Sequence, residues 1–450
     1  MSTIKQKNLT EGPLFKNIIL YTIPIILSGL LQIMFNAVDN IVVGRFCGSI
    51  YVAAVGATGS IISLFVNVFM GFSVGASVLV AQARGAGDDE TVHKTVHTAM
   101  PTAFVSGILL TILMLILCED ILRIMETPEE VLPLSATYLK IYFCGIVFSL
   151  LYNFASGILR ALGDTKRPLI FLAIAGVINF ILNVLFVTAF DMNVAGVALS
   201  TAISQSFAAV LSIITLMRQP DSSRLILSKL RFYKDIVFRV LKIGFPTAIQ
   251  SSLFSISNMI IQSSINSFGA VFLTGSSASN DAANIVYTSM NAFMHTSLNF
   301  TGQNIGARKY DRVKKVLVVC LVSVTVVGLI TGITTVLFGE KILGIYIKDS
   351  AAAIEYGMIR LKYIALPYFL CGIMEVLTGA IRGMGTSLPP LIISVIGVCG
   401  IRLGWIFTIF AIPGFHTPEV LFLSYTVSWI ITSVLLYVVY RIVLKKTIHG

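Results

Sequence analysis

The chain has 450 residues, 56% of them hydrophobic and only 12% charged, with a mean hydropathy of +0.90. Soluble domains carry roughly a quarter charged residues, so a water-soluble fold has nowhere to put this much apolar surface. The net charge of +11 does not point to a nucleic-acid partner, because the basic residues sit in short loops between apolar runs.

Apolar stretches long enough to cross a bilayer as helices recur from end to end, whereas a membrane barrel would show short alternating segments. The opening residues MSTIKQKNLTEG are polar and no cleavable signal is expected, so the first span serves as its own signal. Twelve spans are predicted. The first six, near 16–45, 51–83, 92–117, 134–160, 168–190 and 193–217, are followed by a basic polar connection at 218–235. The other six lie near 236–267, 271–305, 313–338, 354–381, 388–411 and 418–440. This is an all-α polytopic membrane protein with an N-terminal six-helix lobe (1–217), a cytoplasmic linker (218–235) and a C-terminal six-helix lobe (236–450). With both termini cytoplasmic, most of the 32 Lys and Arg fall inside, among them Lys5, Lys7, Arg84, Arg160, the 218–242 cluster and the run Arg308–Lys315. Membrane lipids are therefore expected partners. The six cysteines show no C-x-x-C pair and suggest neither disulfides nor zinc.

The two lobes repeat each other. Pro24 in span one matches Pro246 in span seven (246 − 24 = 222). AQARGAG closing span two matches GQNIGA closing span eight, Gln82 to Gln303 (303 − 82 = 221). GILRALG at the end of span four matches GAIRGMG at the end of span ten, Arg160 to Arg382 (382 − 160 = 222). An even number of spans per repeat makes the repeats parallel, which predicts a substrate cavity near the midplane of a transporter. Pro24 and Pro246 are candidate bending points, since each removes a backbone hydrogen bond from its span.

An acidic side chain inside a span costs about 2.5–3.5 kcal/mol on insertion scales and is a functional candidate by default. Asp39 is such a residue. Asn179 and Asn183 share a helix face at i,i+4, and helical rise puts Asp39, Asn183 and Thr201 at similar depth. A carboxylate with amide and hydroxyl oxygens suits a hard cation such as sodium, while a desolvated Asp suits a proton, and the single carboxylate tips the balance toward the proton. The alternative for the two Asn residues is interhelical hydrogen bonding. Asn36, Asn153, Gln250 and Glu375 are candidate substrate-cavity residues, Glu375 occupying the repeat position of Asn153 (375 − 153 = 222). Asp281 and Arg402 fall at similar depth and are expected to form a structural ion pair. His93 and His97 share the spacing of H-E-x-x-H but lack its Glu, so no metal site is expected.

PIILSGLLQIMFNAVDNIVVGRFCG in span one, GQNIGA closing span eight and the paired G-x-x-R-x-x-G span ends closely resemble the multidrug and toxic compound extrusion (MATE) family of prokaryotic type. The resemblance implies antiport of small organic, often cationic, compounds against H+ or Na+ in the cytoplasmic membrane, with no cofactor. It implies a coupling role for Asp39 with an Asn-x-x-x-Asp pair on span five. Asn179 matches that pair, while Asn183 stands where the Asp is expected. No G-x-x-x-x-G-K-[ST] phosphate loop is present, and no nucleophile–base or metal spacing suggests an enzyme. The second reading is a lipid or lipid-linked oligosaccharide flippase of the same superfamily.

Overall fold

A computed structural model describes residues 8–347 and 350–449; Lys5 and Lys7 lie outside the described residues. The apolar stretches become long helices: α1 (Leu14–Phe46), α2 (Ser49–Ala86), α3 (Asp89–Ile124), α4 (Leu132–Ala161), α5 (Lys166–Thr188) and α6 (Asn193–Met217). After the connection come α7 (Lys234–Asn266), α8 (Ala270–Gly306), α9 (Tyr310–Leu337) and a short α10 (Gly339–Tyr346) that the sequence did not suggest. The chain ends with α11 (Ala351–Arg360), α12 (Tyr368–Gly383), α13 (Leu388–Ser394), α14 (Ile401–Phe407) and α15 (Pro418–His449). No strand occurs among the described residues. Among the described residues ten spans are long and apolar enough to cross a membrane, Ala351–Gly383 and Leu388–Phe407 each counting as one. Helices α7 and α8 are as long, at 33 and 37 residues, but rich in Ser, Thr and Asn, so they complete the twelve by length and not by hydropathy.

Two spans are interrupted for identifiable reasons. Between α11 and α12 the segment Leu361–Ala365 is π-helical, and Pro367 follows it. Proline has no N–H to give the carbonyl four residues back, which is that of Tyr363, and the Thr426 hydroxyl donates to that oxygen instead (3.4 Å). A second π-helical segment, Val395–Gly400, joins α13 to α14.

Pro101 in α3 has the same effect on the carbonyl of His97, to which the Arg231 N–H of the connection donates (3.3 Å). The His97 ring holds this connection too. Its Nε2 accepts the Ile226 N–H (3.0 Å) and its Nδ1 bonds the His93 carbonyl (2.8 Å), so both ring nitrogens are engaged. Helix α3 starts just after Gly87, whose left-handed φ of 71° ends α2, with Asp88 accepting the Thr91 N–H at 2.9 Å. The Thr91 hydrogen bonds hold the Asp88 carboxyl below the usual carboxylate range. A carboxyl depressed in the folded state stabilises above its unfolded pKa and loses that contribution as pH falls through the folded value. Asp88→Ala is therefore expected to cost about 1 kcal/mol at neutral pH, a loss that fades below about pH 4, measurable by thermal unfolding of both proteins at pH 7 and pH 3.5.

The repeat is visible in the backbone. Left-handed φ values recur at matched loops: Gly48 (104°) with Gly269 (89°), Gly87 (71°) with Arg308 (54°), and Gly163 (92°) with Gly385 (85°). The first two pairs are separated by 221 residues and the third by 222, the same offsets as the sequence motifs. Close helix crossings recur too. A Cβ on Gly107 would meet the Val147 backbone at 2.7 Å, and one on Gly328 would meet Phe369 at 2.8 Å, with 328 − 107 = 221 and 369 − 147 = 222.

The chain resolves into two compact units that do not follow the division at 218–235. One unit spans Leu27–Phe245; the other joins Leu9–Ile26 to the residues from Pro246 onward. The chain passes between units inside α1 just after Pro24 and inside α7 at Pro246. In the first unit the start of α7 packs on α2, where a Cβ on Gly244 would meet the Phe72 backbone at 2.7 Å. In the second unit Leu9–Ile26 is held on α8 and α9. The Leu9 N–H donates to Gln303 Oε1 (3.1 Å), Asn304 Nδ2 donates to the Leu9 carbonyl (3.2 Å), and Arg312 donates to the carbonyls of Glu11 and Gly12 (2.8 and 2.9 Å). Deeper in, the hydroxyls of Thr22 and Thr296 meet at 2.8 Å.

Candidate functional site

In the first unit, α1, α5 and α6 bring together the four residues proposed from sequence as a cation site. Gly176 on α5 makes the approach possible, because any Cβ there would overlap the Phe35 ring of α1. Asp39 lies one turn beyond Phe35, and Asn179 and Asn183 lie one and two turns beyond Gly176, so the same helix contact sets these side chains against each other. Asn183 Nδ2 donates to Asp39 Oδ1 at 2.5 Å and to Asn179 Oδ1 at 3.2 Å. Asn179 Nδ2 donates to the Thr201 hydroxyl (3.3 Å), which lies 3.4 Å from Asp39 Oδ2. Asp39, Asn179 and Asn183 are all buried.

The carboxylate thus accepts hydrogen bonds from neutral groups. No ion pair among the described residues involves Asp39. Asn183 Oδ1 is enclosed and has no hydrogen-bond partner. The rings of buried Tyr138 and half-buried Tyr142, stacked at 6.2 Å, lie within electrostatic reach of Asp39 and were not singled out from sequence. Their i,i+4 spacing on α4 was the available signal. Such an arrangement can take up a cation, since the one charge in it has no protein counter-charge.

The other sequence candidates do not join this cluster. Asn36 is exposed on α1. Asn153 Nδ2 is spent on the Ser149 carbonyl of its own helix (2.9 Å). In the second unit, buried Gln250 accepts from Arg382 at 2.7 Å, and buried Glu375 lies in the field of the same arginine without forming an ion pair. The expected Asp281–Arg402 pair does not form. Arg402 instead sits over the rings of Tyr425 (4.0 Å) and Trp429 (5.6 Å) and donates from Nε to the Ser428 hydroxyl (3.0 Å). The cation nearest in effect to Asp281 is Arg360, which donates to Ser276 (2.6 Å) and Asn280 (2.7 Å). Similar depth was not enough to pair Asp281 with Arg402, because depth does not fix which way two helices face. Arg360 was not singled out, although the rule that flagged Asp39, an ionisable residue inside a span, applies to it equally.

Comparison with known proteins adds the family. The MatE family model matches residues 24–185 and 246–408, one match in each repeat. The Bacillus subtilis protein named "Probable multidrug resistance protein YpnP" is 28% identical over 402 residues, 89% of each chain. A second Bacillus subtilis protein, "Probable multidrug resistance protein YoeA", is 28% identical over 97% of this chain and 96% of its own. Among solved structures, an outward-facing multidrug resistance MATE family transporter of the MOP superfamily superposes with a TM-score of 0.92 over 100% of both chains at 18% identity, so the fold is shared. With the family model covering most of the sequence and both repeats, this chain belongs to the MatE family.

Proposed function

We propose that the chain is a secondary exporter of small organic compounds in the plasma membrane, driven by protons through Asp39, with both termini in the cytoplasm. The observation that carries the reading is the enclosed carboxylate of Asp39, held by Asn183 and Thr201 with no cationic partner. A buried ionised group without a counter-charge is costly, so a state in which Asp39 carries a cation and a state in which it does not differ in the packing they favour. That difference is what an ion gradient can use.

The donor set favours the proton over sodium. Sodium is held by several oxygens and is best matched by more than one carboxylate, and here Asp39 is the one carboxylate of the cluster, with Asn183 in the place where a second would supply oxygens. A protonated Asp39 needs an acceptor in place of a donor. A half-turn of the Asn183 amide supplies one, presenting the Oδ1 that otherwise has no partner. The names of the Bacillus relatives support organic compounds as cargo. Pro24 and Pro246, at the points where the chain passes between units, are proposed as the bending points that transmit the change.

The reading is tested in vesicles holding the purified protein, with ethidium as cargo and proton and sodium gradients imposed separately. Ethidium movement driven by the proton gradient and not by sodium is the expected result. Movement driven by sodium alone would overturn the choice of ion, and movement under neither gradient would overturn the export reading.

A further inference from the structure

The loop that joins α8 to α9 differs in charge from its repeat counterpart. Residues 87–94, between α2 and α3, hold three acids and one base (1 − 3 = −2), whereas residues 308–315 hold five bases and one acid (5 − 1 = +4). Both loops lie between the second and third spans of parallel repeats, so the general excess of basic residues on one side of a membrane protein does not account for the difference. In the first unit the charges are answered from within the chain. Asp88 caps α3, Glu90 pairs with Lys94 (2.6 Å) and Asp89 accepts from the Ser222 hydroxyl. In the second unit Lys314 pairs with Asp311 (3.1 Å), Lys309 donates to Thr10, and Arg312 donates to the carbonyls of Glu11 and Gly12. The side chains of Arg308 and Lys315 make no hydrogen bond or ion pair among the described residues. The Glu11 carboxylate lies within electrostatic reach of Arg312, which still leaves a net +3 (4 − 1). None of residues 1–7 is acidic, so the chain before Asn8 adds no carboxylate.

These cations surround a pocket. Arg308, Lys309, Tyr310, Asp311, Arg312 and Lys315 line an open pocket of about 400 Å³ at the start of α9, within the size range of small-molecule sites. Arg308 stands there with φ 54°, where its counterpart is Gly87. Such a left-handed backbone costs a residue other than glycine about 1 kcal/mol or more, so a long cationic side chain is kept where glycine would sit more easily. One row of α9 leads away from the pocket. Lys314, Val318, Val322 and Val326 follow each other at four-residue steps on one face, and all are exposed, the three valines at 58%, 55% and 50%. The row passes from charge into the part of the span that meets hydrocarbon. A soluble anion would use only the charged end of this arrangement. A phospholipid uses both ends, and clusters of Lys and Arg beside a span attract anionic lipids in particular.

We infer that the α8–α9 loop is a binding site for an anionic phospholipid, with the phosphate in the pocket on Arg308 and Lys315 and an acyl chain along Val318, Val322 and Val326. The guanidinium offers its planar fork to the phosphate oxygens and the ammonium a compact charge. Lys309 and Arg312 of the same pocket hold residues 10–12, so the lipid joins a cluster that already fixes the start of α1. Only the choice of leaflet rests on the proposed cytoplasmic termini; binding itself is independent of that and of the export reading.

The test is native mass spectrometry of the purified full-length protein in detergent, titrated with phosphatidylglycerol and with phosphatidylcholine of the same acyl chains. The first phosphatidylglycerol is expected to bind about fivefold or more tightly than the first phosphatidylcholine. Arg308→Gly combined with Lys315→Gln is expected to bring that ratio below about two, and glycine at 308 suits the left-handed backbone. Lys445→Gln combined with Lys446→Gln, which removes two charges from the end of α15 in the same unit, is expected to leave the ratio unchanged. Equal binding of the two lipids to the unaltered protein, or retention of neither, overturns the site without requiring any variant to fold. A ratio that survives Arg308→Gly with Lys315→Gln, or that falls equally in both double variants, also overturns it, the second result marking general surface charge. Ammonium phosphate in large excess is expected to leave the bound phosphatidylglycerol in place; its displacement would assign the pocket to free phosphate and overturn the lipid.

Discussion

Asp39→Asn is expected to reduce gradient-driven ethidium efflux to the background of empty vesicles while leaving ethidium binding in place. Asparagine keeps the size of the side chain and can keep hydrogen bonds with Asn183 and Thr201, so the packing of α1 on α5 and α6 is preserved. What disappears is the group that changes charge. An ion that no longer binds one state better than the other cannot shift the equilibrium between them, however steep its gradient. The effect is therefore all or nothing in driven transport, whereas an accessory role would leave a graded loss. Driven efflux in the variant at half the original rate or more, at matched reconstitution, would remove Asp39 from the coupling.

A large effect on stability is expected at Gly379. It lies where α12 crosses α8, and a Cβ there would overlap the Met294 carbonyl oxygen and come within 3.1 Å of its carbon. Backbone cannot swing aside as a side chain can, so Gly379→Ile must push two helices apart along a core in which Val376, Leu377 and Ala380 are buried. Overpacking of this kind costs about 3 kcal/mol or more when the obstacle is main chain. The variant is expected to melt well below the original protein and to lose its single peak in size-exclusion chromatography. Two comparisons isolate the cause. The repeat counterpart, Gly157, meets first the Ser73 hydroxyl (2.9 Å), a movable atom, so Gly157→Ala is expected to cost less than Gly379→Ala. Gly344 has nothing within 4 Å, so Gly344→Ala is expected to be neutral. A Gly379→Ile protein as stable as the original would show that the crossing yields.

How much of this was legible in the sequence depended on the kind of signal. Hydropathy located the spans, with boundaries displaced by a few residues, and the 221 and 222 offsets predicted matched loops that the φ values at Gly48 and Gly269 and at Gly163 and Gly385 reproduce. The Asp39 cluster was legible because its members follow simple rules, an acid inside a span and amides at i,i+4, and because Gly176 lets the helices meet. The Asp281–Arg402 pairing failed because charge and depth carry no information on rotation about a helix axis. The role of Arg382 as a donor to Gln250 was hidden for a similar reason, since the two residues are 132 positions apart and nothing in either stretch names the other. Helix α10 escaped because its eight residues continue an apolar run. The exchange of helix halves between units is a property of tertiary contacts, and a polar connection at 218–235 marks where the repeat was joined without marking where the units divide.

That exchange has a consequence for biosynthesis. The first unit is complete once residue 245 has left the ribosome, because the part of α7 it needs comes directly after α6 in the chain. The second unit is different: the piece it needs, Leu9–Ile26, is made first, and Gln303, Asn304 and Arg312, which receive it, are made 294, 295 and 301 residues after the residues they bond. At about 5–20 residues per second this leaves the start of the chain waiting roughly 15–60 s for its partners. During that interval its polar backbone groups and the Thr22 hydroxyl have no native acceptor on α8. Splitting the gene at the 218–235 connection would therefore separate each unit from a helix half it requires, and neither product would contain a whole unit.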